Sequence, residues 1–150
     1  MMLVSSDLVR ASQTAGIIAN ALSAAATATL QPVVFTEALR EQHLGRLQGR
    51  LAKELRPEPV PDDRDISEVR WGGGESLADV HARLRSYFET TLPNAPAHLI
   101  VITHGDTLRV ARALLTGKTH REVEWDVVPN GAVVTVPVRC NHPNRVEQTR

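Results

Sequence analysis

The stretch that most constrains the fold is the apolar run at 98–103, HLIVIT, which is followed without a gap by the polar sequence HGDTLR. A short run that is apolar on both faces is typical of a central strand in a parallel sheet covered by helices. His104 and Gly105 then stand at the end of this strand. A helix is predicted over 106–115, closed by Gly117. The chain therefore contains a strand–helix unit with a histidine at its turn.

Further strand and helix signals alternate along the chain. Strands are expected at 2–5, 32–36, 98–103, 132–138 and 145–149. One helix is expected from Asp7 to about Leu22, Ser76 can cap another over 77–92, and a helical stretch is expected to develop towards Leu55. This order predicts one three-layer α/β/α domain with a mostly parallel sheet over all 150 residues.

The composition excludes several classes of protein. Seventeen basic residues balance 17 acidic ones, so the charge gives no indication of nucleic acid or a membrane surface as partner. The lone Cys140 cannot form an internal disulfide. No apolar stretch reaches the roughly 18 residues of a membrane span, and no basic segment precedes an apolar one at the start. We therefore expect a cytoplasmic protein without nucleic-acid or membrane partners.

Three polar motifs follow predicted strands: SSDLVRA, LREQHLG and THGDTLR. Ligands of parallel α/β sheets bind at the carboxyl ends of the strands. Arg10 lies one turn into the first helix, where backbone N–H groups favour an anion and its guanidinium adds two parallel donors. As an imidazolium, His104 could donate to a phosphoryl group, and Gly105 permits close backbone approach. Each feature alone also fits a surface ion pair or a structural histidine.

Carboxyl groups occur in two of the loops. Glu41 in LREQHLG is a candidate general acid, because a carboxyl group beside a bound dianion favours its protonated form. The alternative is a solvated carboxylate paired with Arg40 or Arg46. Glu75 in GGGES is either a loop-closing carboxylate or a second acid in the site. The other five histidines have no metal-ligand spacing, so no metal and no other cofactor is expected.

Together, SSDLVRASQTA, LREQHLGRLQG, GGESLADVHARL, VITHGDTLR and PNGAVVTV resemble, in this order, the histidine phosphatase superfamily of phosphoglycerate mutase-like proteins. The resemblance covers essentially the whole chain. It implies that Arg10, His104 and Gly105 bind the phosphoryl group, that Glu41 protonates the leaving oxygen and that His104 stabilises the transition state. Ser6, Glu75 and Asn130 are further candidates for the substrate pocket. The implied ligand is phosphate or a small phosphorylated metabolite.

The resemblance also implies a motif that this sequence does not contain. Members of the family have a central first strand ending in RHG, whose histidine is the nucleophile, whereas the single HG here is at His104. We therefore expect a phosphatase-type domain that lacks the first central strand and is inactive or nearly so, since losing a nucleophile costs on the order of a millionfold in rate. Three explanations stay open. The sequence comes from a phosphatase or mutase gene read from a late start codon, or it is a catalytically dead homologue that binds a phosphorylated ligand or a protein. The third is a non-phosphatase reaction of His104 and Glu41.

A missing central strand would leave sheet edges unpaired, and unpaired edges attract other strands. We expect either that the flanking strands pair with each other or that a homodimer forms by strand pairing. The segment at 51–74 is short and Pro-rich, as in a small cap or flap. Mutases of the family that the chain resembles have a longer insertion here, so the resemblance implies a phosphatase over a glycolytic mutase, although LREQHLGRLQG is mutase-like.

Overall fold

The computed structural model describes residues 1–25, 29–51, 53 and 59–138. Three strands form one parallel sheet in the order β2–β1–β3, and three α-helices pack against it. The strands are β1 (Met2–Ser6), β2 (Val34–Thr36) and β3 (Leu99–Ile102). The helices are α1 (Val9–Ala24), α2 (Leu77–Thr91) and α3 (Gly105–Leu115). The short 3-10 turns with described bounds lie at Glu37–Leu39, Gly45–Leu47, Ile66–Glu68, Trp71–Gly73, Leu92–Asn94 and His120–Glu122.

Helices cover both faces of the sheet. Adjacent residues Leu3 and Val4 point to opposite faces of β1, and both are fully buried. Val4 joins the core that α2 and α3 close. On the other side α1 packs against β1, burying its small residues Ala11 and Ala15. The predicted mostly parallel α/β architecture is therefore confirmed.

The three predicted helices that flank the motifs are confirmed with small shifts at their ends. Ser76 caps α2 as expected: its hydroxyl accepts from the Asp79 N–H, while the Asp79 carboxylate accepts from the Ser76 N–H. His104 is the residue immediately before α3. Beyond the end of that helix, Gly117 adopts a φ of 80°, the left-handed conformation that glycine accommodates without strain.

The prediction that the run at 98–103 is the central, most buried strand is wrong for the residues that the structure describes. β1 lies in the middle, pairs with a strand on each side and is almost completely buried. β3 pairs with β1 alone, and all four of its residues are half-buried. Helices on both faces account for its apolar composition, but they cannot replace a neighbouring strand at its outer edge.

Residues 132–138 were predicted as a strand and do not form one. The segment follows a turn at Asn130 and Gly131, and Val133 is 90% exposed. A strand needs a neighbour for its backbone N–H and C=O groups, and no described strand lies alongside this segment. The expectation that it would pair with β3 to close the sheet is therefore wrong as well. The strand predicted at 145–149 lies outside the described residues, and the homodimer stays a prediction.

The helix expected to develop towards Leu55 is replaced by the 3-10 turn Gly45–Leu47, while Leu55 itself lies outside the described residues. Gly45 has a φ of 52°, which a continuing right-handed helix cannot contain. This turn packs against the later turn Trp71–Gly73. A Cβ atom on Gly74 would lie 1.9 Å from the His43 carbonyl oxygen, so two backbones cross there at a distance that only glycine allows.

Candidate phosphate-binding site

The parallel sheet brings the three polar motifs to one edge. Arg10 follows β1, Glu41 follows β2 and His104 follows β3, and the carboxyl ends of parallel strands lie at the same side of a sheet. Both Arg10 and Glu41 act electrostatically on His104. The three residues selected from the sequence thus form one cluster.

His104 and Arg10 are in direct contact. The Arg10 Nε donates a hydrogen bond to His104 Nδ1 at 3.1 Å, and His104 Nε2 lies 2.9 Å from the hydroxyl of Ser6. Because Nδ1 accepts from a guanidinium, we assign the proton of the neutral ring to Nε2, which donates to Ser6. Burial, followed by the Arg10 charge, holds the pKa of His104 below its ordinary value of 6.5. The ring is therefore neutral at pH 7.

Arg10 differs from the ion-paired arginines of this edge. Arg40 forms a two-pronged ion pair with Asp7, and Arg83 forms one with Glu75. No Asp or Glu among the described residues pairs with Arg10, whose side chain is exposed. Its bond to a ring nitrogen therefore leaves the positive charge uncompensated by any carboxylate of the described ranges. An anion at this point would neutralise Arg10 and would also favour protonation of His104.

Glu41 is attached to the helix that His104 begins. Its Oε1 accepts from the backbone N–H and the hydroxyl of Thr107, each at 3.2 Å, and from the Gln42 N–H at the same distance. Arg40, which the sequence suggested as a partner of Glu41, pairs with Asp7 instead. Glu41 is thereby held at the N-terminal end of α3.

Sequence reasoning missed three polar residues at this edge: Arg83, Asp106 and Thr107. The pKa of Asp106 is raised by burial and, to a lesser extent, by the nearby Glu41 charge. The Arg109 Nη1 atom lies 2.7 Å from Asp106 Oδ1 and partly opposes this increase. The only available signal for Arg83 was its position three residues after the buried Val80, at the margin of the apolar stripe of α2. Nothing in the sequence indicated that Thr107 would contact Glu41.

The remaining candidates occupy different surroundings. Ser6 is fully buried against His104, and Gly105 is the first residue of α3. The Glu75 carboxylate is occupied by Arg83 and the His43 N–H. Asn130 is exposed in its turn. The roles of Ser6, Gly105, Glu75 and Asn130 towards a ligand stay predictions. Across the described ranges, no three His, Cys, Asp or Glu side chains are grouped to hold a metal ion.

None of the helices in the described part of the chain is both long and apolar enough to cross a membrane.

Curated relatives with sequence similarity are phosphoglycerate mutases. The chain is 36% identical over 100 residues to the 2,3-bisphosphoglycerate-dependent phosphoglycerate mutase 2 of Gloeobacter violaceus, covering 62% of this chain and 46% of that protein. It is 33% identical over 125 residues to the 2,3-bisphosphoglycerate-dependent phosphoglycerate mutase of Methylobacterium radiotolerans, covering 79% and 57%. The chain thus spans about half the length of the curated relatives it matches.

Solved structures with the same fold include mycobacterial phosphatases. A mycobacterial glucosyl-3-phosphoglycerate phosphatase in complex with VO3 superposes with a TM-score of 0.64 at 27% identity, covering 80% of this chain and 60% of the other. A protein described as mycobacterial hydrolase 1 superposes with a TM-score of 0.63 at 28% identity, covering 80% and 61%. The family model for the histidine phosphatase superfamily (branch 1) matches residues 1–148. The chain therefore belongs to the histidine phosphatase superfamily.

Proposed function

We propose that this chain binds the phosphoryl group of a phosphomonoester through Arg10 and His104 in a phosphatase-type site, and that it turns over little substrate because its sequence has no RHG nucleophile. The observation that carries the proposal is the uncompensated Arg10 guanidinium, held 3.1 Å from a neutral ring nitrogen of His104. A fixed positive charge beside a ring nitrogen that can take up a proton is suited to a phosphoryl dianion.

Binding a dianion changes the protonation of the site. The guanidinium turns from His104 Nδ1 to the anion and donates two parallel hydrogen bonds to its oxygens. His104 Nδ1 is then free to take up a proton, because the anion raises the pKa that Arg10 and burial had lowered. The resulting imidazolium donates to a phosphoryl oxygen and stabilises negative charge that develops in the transition state.

Glu41 is proposed as the proton donor to the leaving oxygen. Its Oε1 is bound by Thr107, so its second oxygen is available for a ligand. The carboxyl group and His104 are linked through the first turn of α3, which keeps donor and phosphoryl site in a fixed relation. A general acid protonates the leaving oxygen while a nucleophile attacks phosphorus, and it contributes typically 10²- to 10⁴-fold in rate. Because the sequence lacks the RHG histidine that attacks in the family, this role of Glu41 requires another nucleophile.

The relatives are named for phosphoglycerates: two are phosphoglycerate mutases and one is a glucosyl-3-phosphoglycerate phosphatase. We therefore propose small monoesters of the phosphoglycerate kind as the substrate class. The short segment at 51–74 supports hydrolysis over mutase activity, because mutases of the family have a longer insertion at this place.

A second candidate function is phosphoryl binding without turnover, and the absence of RHG from the sequence favours it. Ser6 is no substitute nucleophile, because it is fully buried and its hydroxyl is engaged by His104 and the Leu8 N–H. His98 lies just before β3, at the opposite edge of the sheet, and His81 and His120 contact each other.

Calorimetric titration with vanadate and with phosphate tests the binding proposal. Arg10→Ala should weaken binding by about tenfold or more, since charge-assisted bonds contribute roughly 1.5–3 kcal/mol. Arg112→Ala is the matched control: it removes the same charge from α3, where Arg112 pairs with Asp126 and Glu124. Equal loss in both variants would reduce the effect to net charge and contradict the proposal.

Hydrolysis of p-nitrophenyl phosphate then separates the two candidates. We expect vanadate binding with negligible turnover by the 150-residue chain. Robust turnover that His104→Gln abolishes would show that another group acts as nucleophile and would support the phosphatase.

A further inference from the structure

The loop that carries Glu41 is held from one side by Arg83 of α2. The Arg83 Nη1 donates to the carbonyl oxygens of Ala38 at 2.7 Å and of Arg40 at 3.1 Å. The Nε and Nη2 atoms of the same guanidinium donate to the two carboxylate oxygens of Glu75 at 2.9 and 3.0 Å. One side chain therefore joins the backbone just before Glu41 to the loop that precedes α2.

Glu75 holds the backbone on the other side of Glu41. Its Oε2 accepts from the His43 N–H at 2.9 Å, and its backbone N–H donates to the His43 carbonyl at 2.7 Å. The Glu75 carbonyl accepts from the side-chain amide of Gln42 at 2.8 Å. The polypeptide on either side of Glu41 is thus bound to one ion pair, whose side chains are 20% (Arg83) and 27% (Glu75) exposed.

We infer that Arg83 and Glu75 are positioning residues, which hold the Glu41 carboxylate against Thr107 and beside His104. The inference rests on the proposed function, because holding Glu41 in place affects a ligand only if the phosphoryl group binds at Arg10 and His104. Neither positioning residue needs to touch the ligand. Lysine cannot replace Arg83, because an ammonium group lacks the planar fork that reaches two carbonyls and a carboxylate together.

The Thr107 amide reports the position of Glu41 without any ligand. The first N–H groups of a helix have no partner within the helix, and the Thr107 N–H donates to Glu41 Oε1. In Arg83→Met, Arg83→Lys and Glu75→Gln we expect this amide to exchange with solvent about tenfold faster, approaching its rate in Glu41→Ala. Arg112→Met is the matched control on α3 and should leave the rate unchanged. Unchanged Thr107 exchange in the Arg83 and Glu75 variants would overturn the inference.

Vanadate affinity tests the same inference at the site, and Glu75→Gln is the most discriminating variant. Removing a negative charge near an anion site strengthens anion binding if electrostatics alone operates. Positioning predicts the opposite: binding weakens by about tenfold, and adding Glu41→Ala to Glu75→Gln produces little further loss, because both changes remove one interaction. Tighter binding, or fully additive losses, would overturn the inference.

The two proposals fail separately. If the unmodified chain binds no vanadate, the proposed function fails, and the Thr107 exchange rates alone decide whether Arg83 and Glu75 position Glu41. If vanadate binds and Arg10→Ala weakens it, but Glu75→Gln strengthens it, the proposed function survives and the positioning role is rejected.

Discussion

Residues 37–43 and residues 127–138 both lack long regular structure, but their backbones are held very differently. In the first segment the carbonyls of Ala38, Leu39 and Arg40 accept bonds from side chains of α2 and of the segment after β3. In the second, two of the valines that suit a strand lie almost wholly in solvent, Val127 at 88% and Val133 at 90% exposure. Order in this protein therefore depends on available partners more than on local propensity.

The largest expected effect is on stability, and it distinguishes the core near the site from residues 127–138. Leu84 is fully buried on α2, beside Arg83, whereas Val133 is exposed. Leu84→Ala should lower the free energy of unfolding by about 2–5 kcal/mol through lost burial and a residual cavity. Val133→Ala should change it by less than about 0.5 kcal/mol. Urea denaturation measures both values, and a comparable loss in the two variants would show that residues 132–138 pack against the protein in solution.

A smaller effect is expected on the acid side of the stability profile. His104 contacts Ser6 of β1 and Arg10 of α1, and it also feels the charges of Glu41, in the loop after β2, and of Arg83, on α2. Burial lowers the pKa of His104 most, and the Arg10 charge lowers it further. His104 therefore binds a proton more tightly in the unfolded chain than in the folded one. Its contribution to the free energy of unfolding is fully present above pH 6.5 and is lost as the pH falls towards the pKa of the folded state. His104→Gln should flatten this decline in denaturation curves between pH 7 and 5. The burial-lowered pKa of His81 adds a decline that the variant retains.

An unaltered slope in His104→Gln would mean that burial and Arg10 together do not lower the pKa of His104 in solution, which would contradict the assignment of a neutral His104 beside Arg10. His81→Gln is the matched comparison, because it removes a second buried histidine, which contacts the Lys118 carbonyl outside the candidate site.

The smallest expected effect is that of replacing Gly105, and it tests whether this glycine is needed for the fold or for a ligand. A Cβ atom there would lie 3.6 Å from Arg109 Nη1, an ordinary contact, so the fold does not require glycine. Gly105→Ala should leave stability unchanged or raise it by about 0.5–1 kcal/mol through the lower entropy of the unfolded chain. If Gly105 lets a phosphoryl group approach the backbone, the same variant should weaken vanadate binding. Unaltered affinity would remove Gly105 from the site.

Much of the fold could be predicted because local rules and tertiary context agree. The Ser76 cap, the apolar spacing of α1 and α2 and the apolar run of β3 all follow from residues close in sequence. The prediction of strand order was less successful. The short segment MLVSS became the central strand, while the more apolar LIVI became an edge strand in the described part, because centrality depends on neighbours in space.

The candidate site shows the same division. The residue types of Arg10, Glu41 and His104, their place after strands and their order along the chain could be read without coordinates, because parallel strands bring their carboxyl ends together. The contacts of Arg83 could not be read in this way. Arg83 joins the Ala38 carbonyl, which lies 45 residues earlier in one loop, to the Glu75 carboxylate in another loop.

The sequence by itself determined the family, the α/β class and the chemical groups available for a phosphoryl ligand, since these depend on residue identity and short-range periodicity. Only the tertiary structure decided that Arg10 has no carboxylate partner within the described part of the chain, that His104 is neutral between Arg10 and Ser6, and that Glu41 is held by Thr107. The physical reason is that charge compensation and hydrogen bonding depend on distances between residues far apart in the chain, which periodicity does not encode.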